Sequence, residues 1–273
     1  MPHPYFSAVM ALASLAGAAN STAPTVASSA PTVISDIDLS KPFATRAPWR
    51  FTATQGPDIE DPTYGPDEKE RGVIQLCLRA SGSAACDPVL HSSWTSINPD
   101  VHEYDDLHYL RAAQIVRLPG AARQPLLWVQ GASVHSGDGG QLISTQVLAY
   151  RPPQDRFFRV YERQTGSNGN EETRFIAGGP LSGDIISVEP TSNAPFGYWV
   201  SVSASKAAGA YHQVLRYRSA THYNDGNALA VIDSEMPNIQ KRLGLWKPGQ
   251  PIPTPAGKPC PKPTLRHTEL WCE

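Results

Sequence analysis

The sequence predicts an all-β fold made of repeated four-stranded antiparallel meanders, propeller-like or a β-sandwich, and stapled by disulfides. Three observations support this. Apolar residues occur in short runs separated by Gly, Pro, Asn and Asp, which is the pattern of strands and turns. One short string occurs twice within strand-like segments. Four cysteines fall into two close pairs.

The expected strands lie between turn sequences such as SGDGG, TGSNGN and NDGN. Two segments have helical spacing instead: 105–114, with Asp105 or Asp106 as its N-cap, and a short stretch that ends at Gly244. The expected strands are 49–55, 72–80, 113–118, 125–133, 143–151, 156–163, 173–178, 183–190, 197–205, 211–219 and 228–235.

The repeated string is QVLAYR at 146–151 and QVLRYR at 213–218. Matching strands precede and follow both copies, so a four-strand unit is expected to recur over about 112–163 and 183–235. Alternation places Gln146, Leu148 and Tyr150 on one face of their strand. The copies differ only where Ala149 stands against Arg216, on the opposite face, which is expected to be open to water. The repeat is therefore interpreted as scaffold.

The two ends of the chain indicate export. Residues 1–19 contain an apolar run from Tyr5 to Ala19 that ends in small residues, typical of a signal peptide, although Lys and Arg are missing before it. The run is too short to span a bilayer, and no transmembrane segment is expected. A flexible leader at 20–39 is expected to precede the all-β domain at 40–250, and a Pro-rich tail covers 251–273.

The cysteines are Cys77, Cys86, Cys260 and Cys272. An even number in close pairs fits a periplasmic or secreted protein, where disulfides persist. Proximity favours Cys77–Cys86 and Cys260–Cys272, among three possible pairings. The second bond would close a tail that is too rich in proline to be held by helix or sheet hydrogen bonds.

The segment HEYDDLH has the highest density of residues able to carry chemistry. Imidazoles and carboxylates at this spacing offer metal ligands or an acid–base pair, although the H-E-x-x-H motif is not present. The alternative is a solvated loop whose aspartate caps a short helix. The candidate residues are His102, Glu103, Asp105, Asp106 and His108.

Other polar segments are weaker candidates. Ser133, His135, Ser136 and Asp138 contain the residue types of a catalytic triad, but they fit a hairpin tip better. Oxygen-bearing side chains at 168–172 could hold Ca²⁺, although a connecting turn is the simpler interpretation. Candidate carboxylates at strand ends are Glu162, Glu189, Asp233 and Glu235; candidate sugar-stacking aromatics are Trp94, Tyr198, Trp199, Tyr211 and Tyr223.

The charges nearly cancel, with 23 basic and 25 acidic residues, so no nucleic-acid partner is expected. The leading hypothesis is an exported, non-enzymatic β protein that binds an envelope protein or a carbohydrate without a metal. The alternatives are a secreted hydrolase that uses a carboxylate/His or metal site, and a purely structural envelope component. Fold alone does not decide among them.

Overall fold

A computed structural model of the chain is mostly β-structure, with two helices among the residues that it describes. No closed barrel is formed by those residues. They are 30–61, 65–92, 106–120, 124–134, 141–166, 171–191, 197–205, 210–219, 228–251, 263–266 and 269–272.

The first sheet has three antiparallel strands in the order β1-β2-β5. A short helix separates its first two strands, and the hairpin β3–β4 is inserted before its third. The elements are β1 (Thr32–Asp38), α1 (Ser40–Phe43), β2 (Trp49–Gln55), β3 (Ile59–Asp61), β4 (Gly65–Glu70) and β5 (Ile74–Ala80).

The second and third sheets are each four-stranded antiparallel meanders, because every strand pairs with the next one in the chain. The second sheet contains β6 (Tyr109–Arg117), β7 (Pro125–Ala132), β8 (Leu142–Arg151) and β9 (Arg156–Gly166). The third contains β10 (Glu172–Phe175), β11 (Ile185–Pro190), β12 (Tyr198–Ser205) and β13 (Tyr211–Arg218). Helix α2 (Ala228–Arg242) and the hairpin β14 (Pro263–Arg266) and β15 (Glu269–Cys272) follow.

Three apolar clusters join these layers in series. Phe51 and Leu78 of the first sheet share a cluster with Leu148 of the second. On its other face the second sheet packs Trp128, Val147 and Ala149 against Ile185 of the third sheet. The third sheet in turn packs Val200 and Val202 against Ile232 and Ile239 of α2. The second sheet is therefore covered on both faces.

This double covering corrects the expectation about Ala149, whose face of the repeated strand was predicted to meet water. Ala149 is 1% exposed, because the third sheet covers it. Arg216, at the matching place, lies on the edge strand β13 and is exposed. The opposite face follows the prediction in the first copy, since Gln146, Leu148 and Tyr150 are all buried.

The matching tyrosines both hold a neighbouring layer against their sheet. Tyr150 donates its hydroxyl hydrogen to Asp155, and the same hydroxyl accepts the backbone N–H of Arg46 at 3.1 Å. Tyr217 donates to the buried Glu235 carboxylate on α2, at 2.6 Å. Both side chains combine an apolar ring in the core with one polar contact across layers.

Two predictions of secondary structure are wrong. Residues 105–114 do not form a helix, because Tyr109–Arg117 is strand β6 and pairs with β7. Residues 228–235 are not a strand but the start of α2, whose Ile232, Met236 and Ile239 recur with helical spacing on the buried side. Every other expected strand overlaps an observed one.

The predicted boundaries at the two ends also need correction. Thr32–Asp38, assigned to the flexible leader, pairs with β2 as strand β1. The Pro-rich tail contains the hairpin β14–β15, although it was expected to lack sheet hydrogen bonds. The predicted signal peptide at 1–19 lies outside the described residues.

Candidate functional site

A polar cleft of about 400 Å³ lies where β9 of the second sheet approaches β12 and β13 of the third. We call it the β9–β13 cleft. Its volume is at the lower end of the range for small-molecule sites, but charged and polar side chains dominate its walls. The lining residues are Arg159, Val160, Tyr161, Glu162, Arg163, Ser203, Tyr211, His212 and Gln213.

Strands β9 and β13 each carry a β-bulge at the cleft. Val160 is the extra residue of β9, because Val147 and Leu148 of β8 pair with Tyr161 and Arg159. Val214 is the extra residue of β13, by the same count against β12. A bulge bends its strand and redirects the side chains beside it, and bulges concentrate near functional sites. The cleft therefore lies where both sheets depart from regular pairing.

A carboxylate shared by two arginines connects the sheets beside the cleft. Glu189 on β11 accepts from Arg163 of β9 at 2.8 Å and from Arg216 of β13 at 3.0 Å. The Arg216 guanidinium also lies 4.5 Å from the centre of the Trp199 ring, within range of a cation–π interaction. These three charged side chains, named here the Glu189 bridge, carry two positive charges and one negative charge.

A second group at the cleft belongs to the second sheet and the loop over it. Arg159 donates to Glu162 at 2.8 Å and to His91 Nδ1 at 2.8 Å. That Nδ1 therefore acts as the acceptor of this bond. The side-chain amide of Gln146 fixes the loop that carries His91. Its oxygen accepts the His91 backbone N–H at 3.0 Å, and its nitrogen donates to the His91 carbonyl at 2.8 Å.

Tyr161 and Tyr211 line the cleft, and the half-buried Asp184 lies close to Tyr211. Tyr161 and Tyr211 meet edge to face, with ring centres 5.8 Å apart, and the Tyr211 hydroxyl donates to the Gly183 carbonyl at 2.7 Å. Burial raises the pKa of both hydroxyls. Burial also raises the pKa of the neighbouring Asp184 to about 6.

Two buried polar atoms of cleft-lining residues make no hydrogen bond. They are Arg163 Nε and His212 Nδ1, and both are shielded from solvent. A buried polar group without a partner costs about 1–3 kcal/mol, so such atoms are rare and need an explanation. Both atoms belong to residues that line the same cleft.

The predicted HEYDDLH site is only partly described. His102, Glu103 and Asp105 lie outside the described residues, and Asp106 is half-buried. His108 is 3% exposed, and its Nδ1 contacts the Arg71 carbonyl at 2.6 Å. Its own backbone N–H donates to Ala132 O at 2.8 Å. His108 therefore ties three segments together.

The other predicted carboxylates separate into two places. Glu162 lines the β9–β13 cleft, and Glu189 lies beside it, where it accepts from the lining residue Arg163. Asp233 and Glu235, expected at a strand end, lie instead on α2, where they pair with Arg174 and Tyr217. Among the described residues, no group of three or more His, Cys, Asp or Glu is arranged to hold a metal ion.

The weaker candidates are also resolved in part. Ser133 is fully buried and its hydroxyl accepts the Leu142 N–H at 3.0 Å, while 135–140 lie outside the described residues. The carboxylate of Glu172, one of the calcium candidates, accepts hydrogen bonds from Arg111 at 3.0 Å and from the backbone N–H of Thr173. Tyr198 is a core residue and not a sugar platform, whereas Trp199 is 36% exposed. Trp94 and Tyr223 lie outside the described residues.

The disulfide Cys77–Cys86 is present and confirms the first predicted pair. It closes the turn that follows β5 onto the outer face of the first sheet. Cys260 lies outside the described residues, so the bond Cys260–Cys272 stays a prediction.

Inspection of the sequence missed Arg159, Arg163, His212 and Gln213 as site residues. They lie on β9 and β13, far apart in the chain, and only the packing of two sheets brings them together. One signal was present: the single difference between the repeated strings is Arg216, a member of the Glu189 bridge.

No protein-family model matches the chain, and comparisons with curated proteins and with solved structures gave no match either. Within the described part of the chain, no helix is both long and apolar enough to cross a membrane.

Proposed function

We propose that this protein is an exported, non-enzymatic binding module, and that its ligand occupies the β9–β13 cleft. The observation that carries the proposal is the pair of buried polar atoms without partners, Arg163 Nε and His212 Nδ1, in residues that line one cleft. A ligand rich in oxygen atoms would satisfy them. A carbohydrate is such a ligand, and its hydroxyls would also suit Ser203 and Gln213.

The conformation of the cleft limits how a ligand enters. Because both atoms are shielded from water, a neighbouring side chain must move before a ligand can reach them. Gln213 is exposed on the edge strand β13, so it can change rotamer without disturbing the core. Binding is thus expected to involve side-chain adjustment on a rigid pair of sheets.

The pairing of the carboxylates favours binding over catalysis. Glu162 is held by Arg159, and both oxygens of Glu189 accept from guanidinium groups. Such contacts occupy the carboxylate oxygens in the ligand-free protein, whereas a general acid or base needs a free path to its substrate. The disulfide Cys77–Cys86 supports export, because such bonds persist in oxidising compartments.

We also propose that 112–163 and 183–235 are copies of one unit, and that the second and third sheets are arranged like neighbouring propeller blades. In support, Trp128 and Trp199 lie on the corresponding strands β7 and β12, and both sheets are meanders stacked face to face. The fourth element departs from the unit, because it is β9 in one copy and α2 in the other. A rotation relating the sheets in a crystal structure would support propeller-like packing, and a simple translation would favour a sandwich.

Whether the ligand binds in the β9–β13 cleft is tested by blocking the cleft with a large side chain. Gln213→Trp places a large ring at its edge, and Val214→Trp is the matched control, because Val214 is 42% exposed and is not a lining residue. Oligosaccharide binding, measured by calorimetry, should weaken at least about tenfold in Q213W and stay unchanged in V214W. Equal binding by Q213W and the unmodified protein would refute this location.

The alternative function is a secreted hydrolase, and Asp184 is the observation that favours it. Its carboxyl, with a pKa raised to about 6, lies beside the carbonyl that Tyr211 holds, and a raised pKa is a property of general acids. Incubation of oligosaccharides with the protein decides between the two. Release of reducing ends that is lost in Asp184→Asn would establish hydrolysis and contradict the binding module.

A further inference from the structure

We infer that the ligand of the β9–β13 cleft is an acidic sugar, and that its carboxylate binds Arg163 and Arg216 in place of Glu189. This inference rests on the proposed function, because it names the ligand class of the same cleft. Four features of the Glu189 bridge and its surroundings lead to it.

The first feature is charge. The Glu189 bridge joins the guanidiniums of Arg163 and Arg216 to a single carboxylate. Arg159 and Glu162, on the same wall, balance each other. One positive charge of the Glu189 bridge is therefore not matched by a carboxylate within the bridge. A second carboxylate would neutralise it, and charge-assisted bonds to arginine are among the strongest that proteins form.

The second feature is the unused edge of Arg163. The Nε–H and Nη2 of a guanidinium lie side by side and together hold both oxygens of a carboxylate. Here Nη2 donates to one oxygen of Glu189, while the other oxygen of Glu189 is committed to Arg216. Nε is left without a partner. A ligand carboxylate that engaged the whole edge would make the bond that Glu189 leaves unmade.

The third feature is that Glu189 can be displaced. Its side chain is 28% exposed and that of Arg163 is 23% exposed, so its carboxylate can turn to water without leaving a buried charge. Glu189 thus occupies the arginines in the absence of ligand. The Glu189 carboxylate is thus an internal competitor of the ligand. The apparent affinity for the ligand is reduced in proportion to the fraction of protein in which Glu189 has left the arginines.

The fourth feature is the rest of the wall, which favours a sugar over another acid. Ser203, Gln213 and His212 offer hydroxyl, amide and imidazole groups suited to ring hydroxyls. Trp199, which is 36% exposed, lies beneath Arg216 of the Glu189 bridge. An acidic peptide would use the arginines but not this row of polar groups.

The experiment compares digalacturonic acid with neutral digalactose by calorimetry at low ionic strength. The protein should bind the acidic disaccharide at least about tenfold more tightly than the neutral one. Arg163→Gln should remove that preference. Arg79→Gln is the matched control, because it removes one positive charge from an exposed residue of the first sheet, and it should keep the preference. Glu189→Gln should bind digalacturonic acid more tightly, because the competitor is removed.

The outcomes separate this inference from the proposed function. Equal affinity for the two disaccharides, with Q213W still blocking both, overturns the acidic class and leaves the cleft as a binding site. Failure of the protein to bind either disaccharide overturns both. Tighter binding of diglutamate than of digalacturonic acid would overturn the sugar in favour of a protein partner. Circular dichroism establishes that R163Q is folded; if it is not, the comparison on the unmodified protein decides.

Discussion

Tyr217 on β13 donates its hydroxyl hydrogen to Glu235 on α2, and 2.6 Å separates the two oxygens in a buried setting. The Tyr217 ring also lies 4.2 Å from the Arg242 guanidinium at the end of that helix. One residue of the repeated string thus holds helix α2 by two contacts. This gives Tyr217 a scaffold role, whereas Gln213 of the same string lines the cleft and Arg216, the residue in which the two strings differ, joins the Glu189 bridge.

Tyr217→Phe tests the contact to the helix. It removes a donor from a buried carboxylate, which should lower the free energy of unfolding by about 1–3 kcal/mol. Tyr150→Phe is the matched change in the other copy, and it should cost less because its partner Asp155 is not fully buried. Urea denaturation followed by fluorescence measures both. A smaller loss in Y217F than in Y150F would contradict the assignment.

Asp184→Asn tests the raised pKa near the cleft. Burial raises the folded-state pKa from 3.8 to about 6, so the ionised form is disfavoured in the native state. The contribution of Asp184 is most favourable below pH 3.8 and is lost as the pH rises through about 6. Since the side chain is only half-buried, the gain in D184N at pH 8 should be on the order of 1 kcal/mol.

Denaturation at pH 3 and pH 8 checks this prediction. At the lower pH, D184N and the unmodified protein should be equally stable. A variant that is less stable at pH 8 would mean that the carboxylate is stabilised by a contact and not penalised by burial.

His108 is expected to act in structure. His108→Ala leaves the Arg71 carbonyl without its donor and opens a cavity, so stability should fall by about 2–4 kcal/mol. His108→Asn retains a donor near Nδ1 and should lose less. Thermal unfolding with and without Zn²⁺ is the measurement. A rise in melting temperature with Zn²⁺ that is absent in H108A would restore the metal-site hypothesis.

The disulfides give a fourth prediction. Replacing Cys77 and Cys86 together by serine opens a loop with a sequence separation of 9, which should cost about 2–3 kcal/mol. Mass spectrometry of peptides from the unreduced protein should also find Cys260 joined to Cys272. Alkylation of either residue without reduction would contradict that pairing.

Most strands could be predicted because they are short apolar runs between turn residues, and such runs form strands with little help from distant contacts. The second half of helix α2 was predicted as a short helix ending at Gly244, but the first half was not, because its residues, ALAVIDSE, fit a short strand as well as a helix. Only the continuation through Met236 to Arg242, packed on the third sheet, decides between them. Strand β6 is the converse case, in which pairing with β7 overrides a helix-like composition.

The site was harder to predict than the fold. Arg163 and Arg216 belong to different sheets, and nothing in the spacing between them indicates that one carboxylate joins them. Strand alternation assigned Ala149 to water, because it describes one sheet and cannot show that another sheet covers it. The densest polar segment attracted attention, but His102, Glu103 and Asp105 lie outside the described residues, and His108 contacts the Arg71 carbonyl.

The most direct test of the binding site is the NMR signal of the Arg163 Nε–H group, assigned by its loss in Arg163→Gln. In this account, titration with digalacturonic acid shifts that signal downfield and saturably, because the donor without a partner acquires one. The Arg79 signal should not move. An Arg163 signal that stays unchanged while the sugar binds, or while no binding occurs, would contradict the assignment of the ligand site to this cleft.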